Sequence, residues 1–211
     1  MNKRIEDKLS EGFRCVKLKI GAIDFDSEMT LIKSIRKRYS KSAIELRVDA
    51  NGGFTAGDAM SRLEELSKYD IHSIEQPIRQ KQWHEMSYLC ANTPVPIALD
   101  EELIGVNIPK MKDDLLDFIK PQYIVLKPTL HGGMKGTREW IEKSRERNVG
   151  SWITSALESS VGLSAIAQLT SDIYGNDITM AQGLGTGALF ADNLPSQTEI
   201  RGDKIWMTGK K

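Results

Sequence analysis

Cysteine is scarce in this chain of 211 residues, charge of neither sign is in excess, and long apolar runs are missing altogether. Each absence excludes something. Cys15 and Cys90 stand far apart, each among apolar neighbours, so they do not form a disulfide framework and read as buried free thiols of a reducing cytoplasm. With 29 basic and 29 acidic side chains, the chain lacks the basic excess that a nucleic-acid surface needs. The one basic run, Ile35-Arg36-Lys37-Arg38, suits the last turn of a helix, where cations complement the dipole. No apolar stretch approaches membrane-spanning length, and Met1-Asn2-Lys3-Arg4 leads into a charged amphipathic helix rather than a secretory signal. Neither a phosphate-cradling lysine motif nor a dinucleotide fingerprint occurs, so no nucleotide is assigned. A soluble cytoplasmic protein is the expectation.

What is present is a repeat. Short β-rich runs at 15–20, 44–49, 71–75, 95–100, 123–127, 151–154 and 178–181 alternate with helical patterns. Met29, Ile32, Ile35 and Tyr39 share one helical face, as do Ala59, Leu63 and Leu66, and later Leu163, Ile166, Ala167 and Leu169. Strand-then-helix repetition implies parallel strands with crossover helices. Seven units exceed an ordinary open sheet and predict most of a (β/α) barrel. The polar strand ends sharpen this, because the steps Lys19 to Asp49, Asp49 to Glu75, Glu75 to Asp100 and Asp100 to Lys127 are 30, 26, 25 and 27 positions. One ionisable group thus closes each of five successive strands, and in a barrel those ends converge on an active site. The tail from 194 onward reads as a short hairpin turning at Gly202-Asp203, separate from a barrel domain over 1–193.

Asp49, Glu75 and Asp100 would repel one another severely if left unpaired. Singly, each is more simply a loop-start acid or helix cap. Three in register favour a hard divalent cation, Mg²⁺ with Mn²⁺ as the alternative. With one strand preceding the first seen here, Lys19 and Lys127 fall half a ring apart and face each other across the mouth. Crowded near a dication and another ammonium, the lysines are expected to have lowered pKa values, making a neutral amine available as base. Lys17, on the same side of the strand, is placed to depress Lys19 further or to contact a carboxylate. Ser159 and Ser160 lie where a helix N-terminus offers N–H groups to an anion. The stretch Gly183-Leu184-Gly185-Thr186-Gly187 permits close backbone approach. A small carboxylate substrate could then lose its α-proton between the two lysines, giving an enediolate stabilised electrostatically.

These residues resemble the enolase superfamily, specifically its muconate-lactonizing branch. Lys17-Leu18-Lys19, Asp49-Ala50-Asn51, Glu75-Gln76-Pro77, Asp100-Glu101 and Lys127-Pro128 carry the resemblance. The chain is most similar there to the o-succinylbenzoate synthases of menaquinone biosynthesis, through 12–21, Lys127-Pro128-Thr129-Leu130, Glu158-Ser159-Ser160-Val161-Gly162-Leu163 and 182–187. The resemblance implies a (β/α)7β barrel lacking the family's N-terminal capping domain and first strand. It implies Lys19 as base and then acid in a syn-dehydration of 2-succinyl-6-hydroxy-2,4-cyclohexadiene-1-carboxylate, Lys127 as a permanent cation, and Asp49, Glu75 and Asp100 around Mg²⁺. Arg47, Asn51, Ser159, Ser160, Lys17 and Gly183 would contact substrate or support the site. No histidine is placed as a base, since His72 falls mid-strand and His84 and His131 in helix or loop stretches. Branch relatives use the same lysines for racemisation or epimerisation. A dipeptide epimerase would show an Asp-x-Asp pair where Met180-Ala181-Gln182-Gly183 stands, whereas an N-acylamino acid racemase stays open. A third reading is a non-catalytic metal-binding fragment, whose unclosed sheet edges also favour self-association.

Overall fold

The computed structural model describes residues 2–175, 178–185 and 192–208. Helix α1 (Asn2–Ser10) leads into β1 (Cys15–Lys19), and strand and helix then alternate. The order is α2 (Phe25–Arg38), β2 (Glu45–Asp49), α3 (Ala56–Ser67), β3 (Ile71–Glu75), α4 (Trp83–Asn92) and β4 (Ile97–Leu99). After a short 3₁₀ turn (Glu101–Leu103) follow α5 (Pro109–Ile119), β5 (Tyr123–Leu126), α6 (Gly133–Glu146), β6 (Gly150–Ile153) and α7 (Ser160–Tyr174). All six strands pair in parallel in chain order, β1 to β6, giving a curled half-barrel.

Local chemistry sets the helix ends. Asp24 caps α2 by accepting the Ser27 N–H at 2.9 Å, and the basic run Arg36-Lys37-Arg38 fills its last turn, complementing the dipole at both ends. Thr55 caps α3 through the Asp58 N–H at 3.2 Å. The apolar stripes face the sheet, with Met29, Ile32, Ile35, Ala59, Leu63, Leu66, Leu163, Ile166 and Leu169 all buried in it. Alternation along each strand then sends Leu18, Leu46, Val48, Ile74, Ile124 and Leu126 into this helix-facing core and their neighbours to the concave face. On that face Ala98, Val125 and Trp152 form a separate small cluster with Tyr123 and Met180. The remaining concave positions are polar, and they make the site.

The expected seventh strand is not formed. Residues 178–181 carry no strand, and the segment meets β6 through one parallel bridge, Thr154 to Gly183. Backbone pairing is held at Gly183, whose N–H donates to the Ile153 carbonyl at 2.9 Å and whose carbonyl accepts the Ser155 N–H at 3.0 Å, while the Ile153 N–H donates to the side chain of Gln182, at Oε1, at 2.7 Å. Thr186 and Gly187 of the glycine-rich segment lie outside the described residues. The tail forms an antiparallel hairpin, β7 (Thr198–Arg201) and β8 (Lys204–Met207). Its turn lies against the loop after α1, where a Cβ on Gly202 would stand 2.8 Å from the Glu11 carbonyl oxygen. Among the described residues no helix is long and apolar enough to cross a membrane.

Candidate active site

Register places the polar residues side by side. Lys17 pairs with Arg47 and Lys19 with Asp49 across β1 and β2, and Asp49 pairs with Glu75 across β2 and β3. Asp100 and Lys127 each follow the last residue of a strand, β4 and β5. The three carboxylates are about as buried as side chains become, each 1% exposed.

The lysines hold them. Lys17 Nζ donates to Asp49 Oδ2 at 3.1 Å and to Glu75 Oε2 at 3.0 Å. Lys19 Nζ donates to Asp49 Oδ2 at 2.8 Å and to Asn51 Oδ1 at 2.6 Å, while 65% of its side chain stays open to solvent. Lys127 Nζ donates to both oxygens of Asp100, at 2.7 Å to Oδ1. Asn51 passes the network on, its Nδ2 donating to Glu101 Oε1 at 2.8 Å. Gln76 ties β3 to β4, since its Oε1 accepts the Asp100 and Glu102 N–H groups, each at 3.2 Å. One connected polar system therefore runs from Lys19 to the turn that carries Asp100.

Its electrostatics are uneven. Burial, reinforced by Asp49 and Asp100, pushes the Glu75 carboxyl up to about 7 against the pull of Lys17. Burial also raises Asp100, with Lys127 opposing. Asp49 goes the other way: burial works to raise it, but Lys17 and Lys19 together hold it below the usual carboxylate range. Lys17, which bridges two of the acids, is itself shifted upward. Its burial favours the neutral amine, yet Glu75 and Asp49 outweigh that and keep it above the ordinary lysine value. An ammonium bridging two buried anions is stabilised more than a neighbouring ammonium destabilises it.

Among the described residues no three His, Cys, Asp or Glu side chains close on one point as a metal cage, because the ammonium groups stand between the acids. The donor set nonetheless fits a divalent cation. Glu75 Oε1 is buried without any hydrogen-bond partner, an expensive state for a carboxylate oxygen, and hard oxygen donors are what Mg²⁺ takes.

The other expected residues make contacts within the protein. Arg47 lies two residues below Asp49 and is buried, its Nε donating to Glu45 at 2.7 Å and one terminal nitrogen to the Ala181 carbonyl at 3.2 Å. Its guanidinium stacks 4.2 Å from the Trp152 ring centre, so it braces β2 against the segment after α7. Ser159 is the N-cap of α7. The Ser160 N–H donates to Asn193 Oδ1 at 2.7 Å, and its hydroxyl donates to the Leu194 carbonyl. Gly183 packs directly on Thr154, where a Cβ would stand 2.3 Å from Oγ1. Sequence reasoning missed Gln76 and Glu101, whose signal was only adjacency to the acids, and Glu28, whose buried Oε1 accepts the Gly21 N–H at 2.7 Å and shapes the loop after β1.

The family described as enolase C-terminal domain-like matches residues 1–202. An o-succinylbenzoate synthase of Desulfotalea psychrophila is 56% identical over 202 residues, covering 96% of this chain and 54% of the relative. An L-Ala-D/L-Glu epimerase of Bacillus subtilis is 27% identical over 164 residues, covering 77% of this chain and 44% of the relative. The crystal structure of MenC from Desulfotalea psychrophila superposes with a TM-score of 0.90 at 53% identity, over 97% of this chain and 55% of that one. Muconate lactonizing enzyme shares the fold, with a TM-score of 0.82 at 21% identity over 97% of this chain and 59% of that one. The chain thus spans about half the length of the curated relatives it matches.

Proposed function

The chain belongs to the enolase C-terminal domain-like family, and from that premise we propose that it carries the catalytic barrel of an o-succinylbenzoate synthase. The single observation behind this reading is the rim itself: Lys19 and Lys127, four strands apart in the sheet order, each anchored on a buried carboxylate. The 56% identity to a named synthase supports the substrate.

In this reading Lys19 Nζ, as the base, takes the α-proton from the cyclohexadiene carboxylate. Asp49 and Asn51 fix the position of that nitrogen, and its large exposure leaves the substrate a way in. The electron pair released from the C–H bond moves first into the substrate carboxylate as an enediolate, then returns to form the ring double bond as the C–OH bond breaks. Lys19 returns its proton to the departing hydroxyl, which leaves as water. Lys127 keeps its charge throughout and meets the negative charge that develops on the substrate carboxylate. Asp49, Glu75 and Asp100 would hold Mg²⁺, or Mn²⁺, whose part when bound is to neutralise that same charge as a Lewis acid. The reading carries with it a place in menaquinone biosynthesis in the cytoplasm.

The test offers the purified chain 2-succinyl-6-hydroxy-2,4-cyclohexadiene-1-carboxylate with Mg²⁺ and follows the aromatic product in the ultraviolet. Turnover in the native chain, reduced about 10²–10⁴-fold in Lys19→Ala and in Lys127→Ala, is expected for loss of an acid–base group. Deuterium exchange at the α-carbon of an acylamino acid or dipeptide without dehydration favours an epimerase or racemase instead. Metal binding without either reaction overturns the enzymatic reading for this chain.

A further inference from the structure

His131 sits in the loop between β5 and α6, fully buried, and the dehydration chemistry makes no use of it. Its Nδ1 accepts the backbone N–H of Lys127 at 2.9 Å. The His131 backbone N–H donates to the Lys127 carbonyl at 3.1 Å, and the Leu130 N–H donates to the same oxygen at 2.8 Å. The pairing of β5 with β6 ends at Leu126 and Ile153, so the N–H of Lys127 falls one residue past the ladder. An imidazole therefore takes over where the sheet stops. Only an unprotonated Nδ1 can accept that hydrogen, which places the ring proton on Nε2. Burial, together with the nearby Lys127 and Lys112 ammonium groups, keeps the ring neutral down to about pH 3.

Resting on the synthase reading above, we infer that His131 is a positioning residue: by accepting the Lys127 N–H on its imidazole it fixes the backbone from which the Cα–Cβ bond carries the ammonium group to the rim. Without the imidazole the Lys127 N–H loses its partner past the end of the ladder, and only the carbonyl stays held, by the Leu130 and His131 backbone N–H groups. A misplacement of about 1 Å at a reacting centre can cost about a hundredfold in rate.

Three variants test this. His131→Asn keeps an acceptor close to the Nδ1 position, His131→Gln moves the acceptor to the Nε2 position, and His131→Leu has none. For folded variants, judged by unchanged circular dichroism, kcat is expected to fall about 10–100-fold in Gln and Leu with KM nearly unchanged, and Asn is expected to recover most of the loss. A second readout needs no turnover: the side-chain ¹⁵Nζ and ¹³Cε resonances of Lys127 should keep their native shifts in Asn and move to those of a solvated lysine in Gln and Leu. Native turnover with kcat unchanged in His131→Leu overturns the inference. If the native chain does not turn over, the synthase reading fails separately. The Lys127 resonances then decide the clamp alone, and native shifts in His131→Leu overturn it.

Discussion

Replacing Glu75 by Gln isolates what it costs to keep three acids together under the rim. In the metal-free protein the carboxyl is raised by burial from 4.5 to about 7, a difference that corresponds to about 3 kcal/mol. The sign follows from linkage. A carboxyl that binds its proton more tightly in the folded state favours folding while both states are protonated, below about pH 4.5. That advantage is lost as pH rises through about 7. The native chain should therefore lose stability across that window, and Glu75→Gln, neutral at every pH and nearly isosteric, should not share this component of the loss. At pH 8 with a chelator present, the variant is expected to be more stable by about 2–3 kcal/mol, or roughly 5–10 °C in melting temperature for a chain of this size. Near pH 4.5 the two should coincide. Affinity for Mn²⁺, read by electron paramagnetic resonance, should meanwhile fall at least about tenfold. Urea denaturation at pH 4.5, 6 and 8 measures the stability arm. A variant equally destabilised at all three pH values would refute the reasoning, because Glu75 would then be contributing packing and hydrogen bonds rather than buried charge.

Other outcomes follow from the same geometry. Gly183→Ala drives a methyl group into Thr154, and chemical denaturation should show a loss of about 1–3 kcal/mol; combined with Thr154→Ala, the loss should be smaller than the sum of the two single changes. Arg47→Met removes the guanidinium from half-exposed Glu45 and the brace to the Ala181 carbonyl, for an expected cost of about 1–3 kcal/mol in urea melts. Arg47→Lys should recover little of it, because an ammonium group reproduces neither the two-sided hydrogen bonding nor the stacking on Trp152.

The site was legible because of where its residues stand. Parallel barrel strands are buried on both faces and read as apolar runs, so Asp49, Glu75 and Lys19 stand out as the polar last residues of their strands, and Asp100 and Lys127 stand one step beyond theirs. The helices were legible through stripes such as Met29, Ile32 and Ile35. Less could be read where side chains replace backbone. Residues 178–181 have a strand's composition, but the partner they should have given Ile153 is the Gln182 amide, which no periodicity reports. For Arg47, expected to contact substrate or support the site, no pattern signals the bond to the Ala181 carbonyl, since that partner lies 134 positions away. The direction of the Lys17 pKa depends on two carboxylates meeting one ammonium at 3.0 and 3.1 Å, a matter of distance rather than order. Gln76 folds its buried amide back onto the next strand from a backbone with φ of +39°, unusual for a glutamine.

A crystal structure of the chain soaked with Mg²⁺ and o-succinylbenzoate tests the central claim most directly. The account predicts one ion about 2.0–2.1 Å from an oxygen of each of Asp49, Glu75 and Asp100, with the product ring between the Lys19 and Lys127 nitrogens. An ion bound elsewhere, or product bound away from both lysines while Lys17 and Lys127 still cover the three acids, would contradict it.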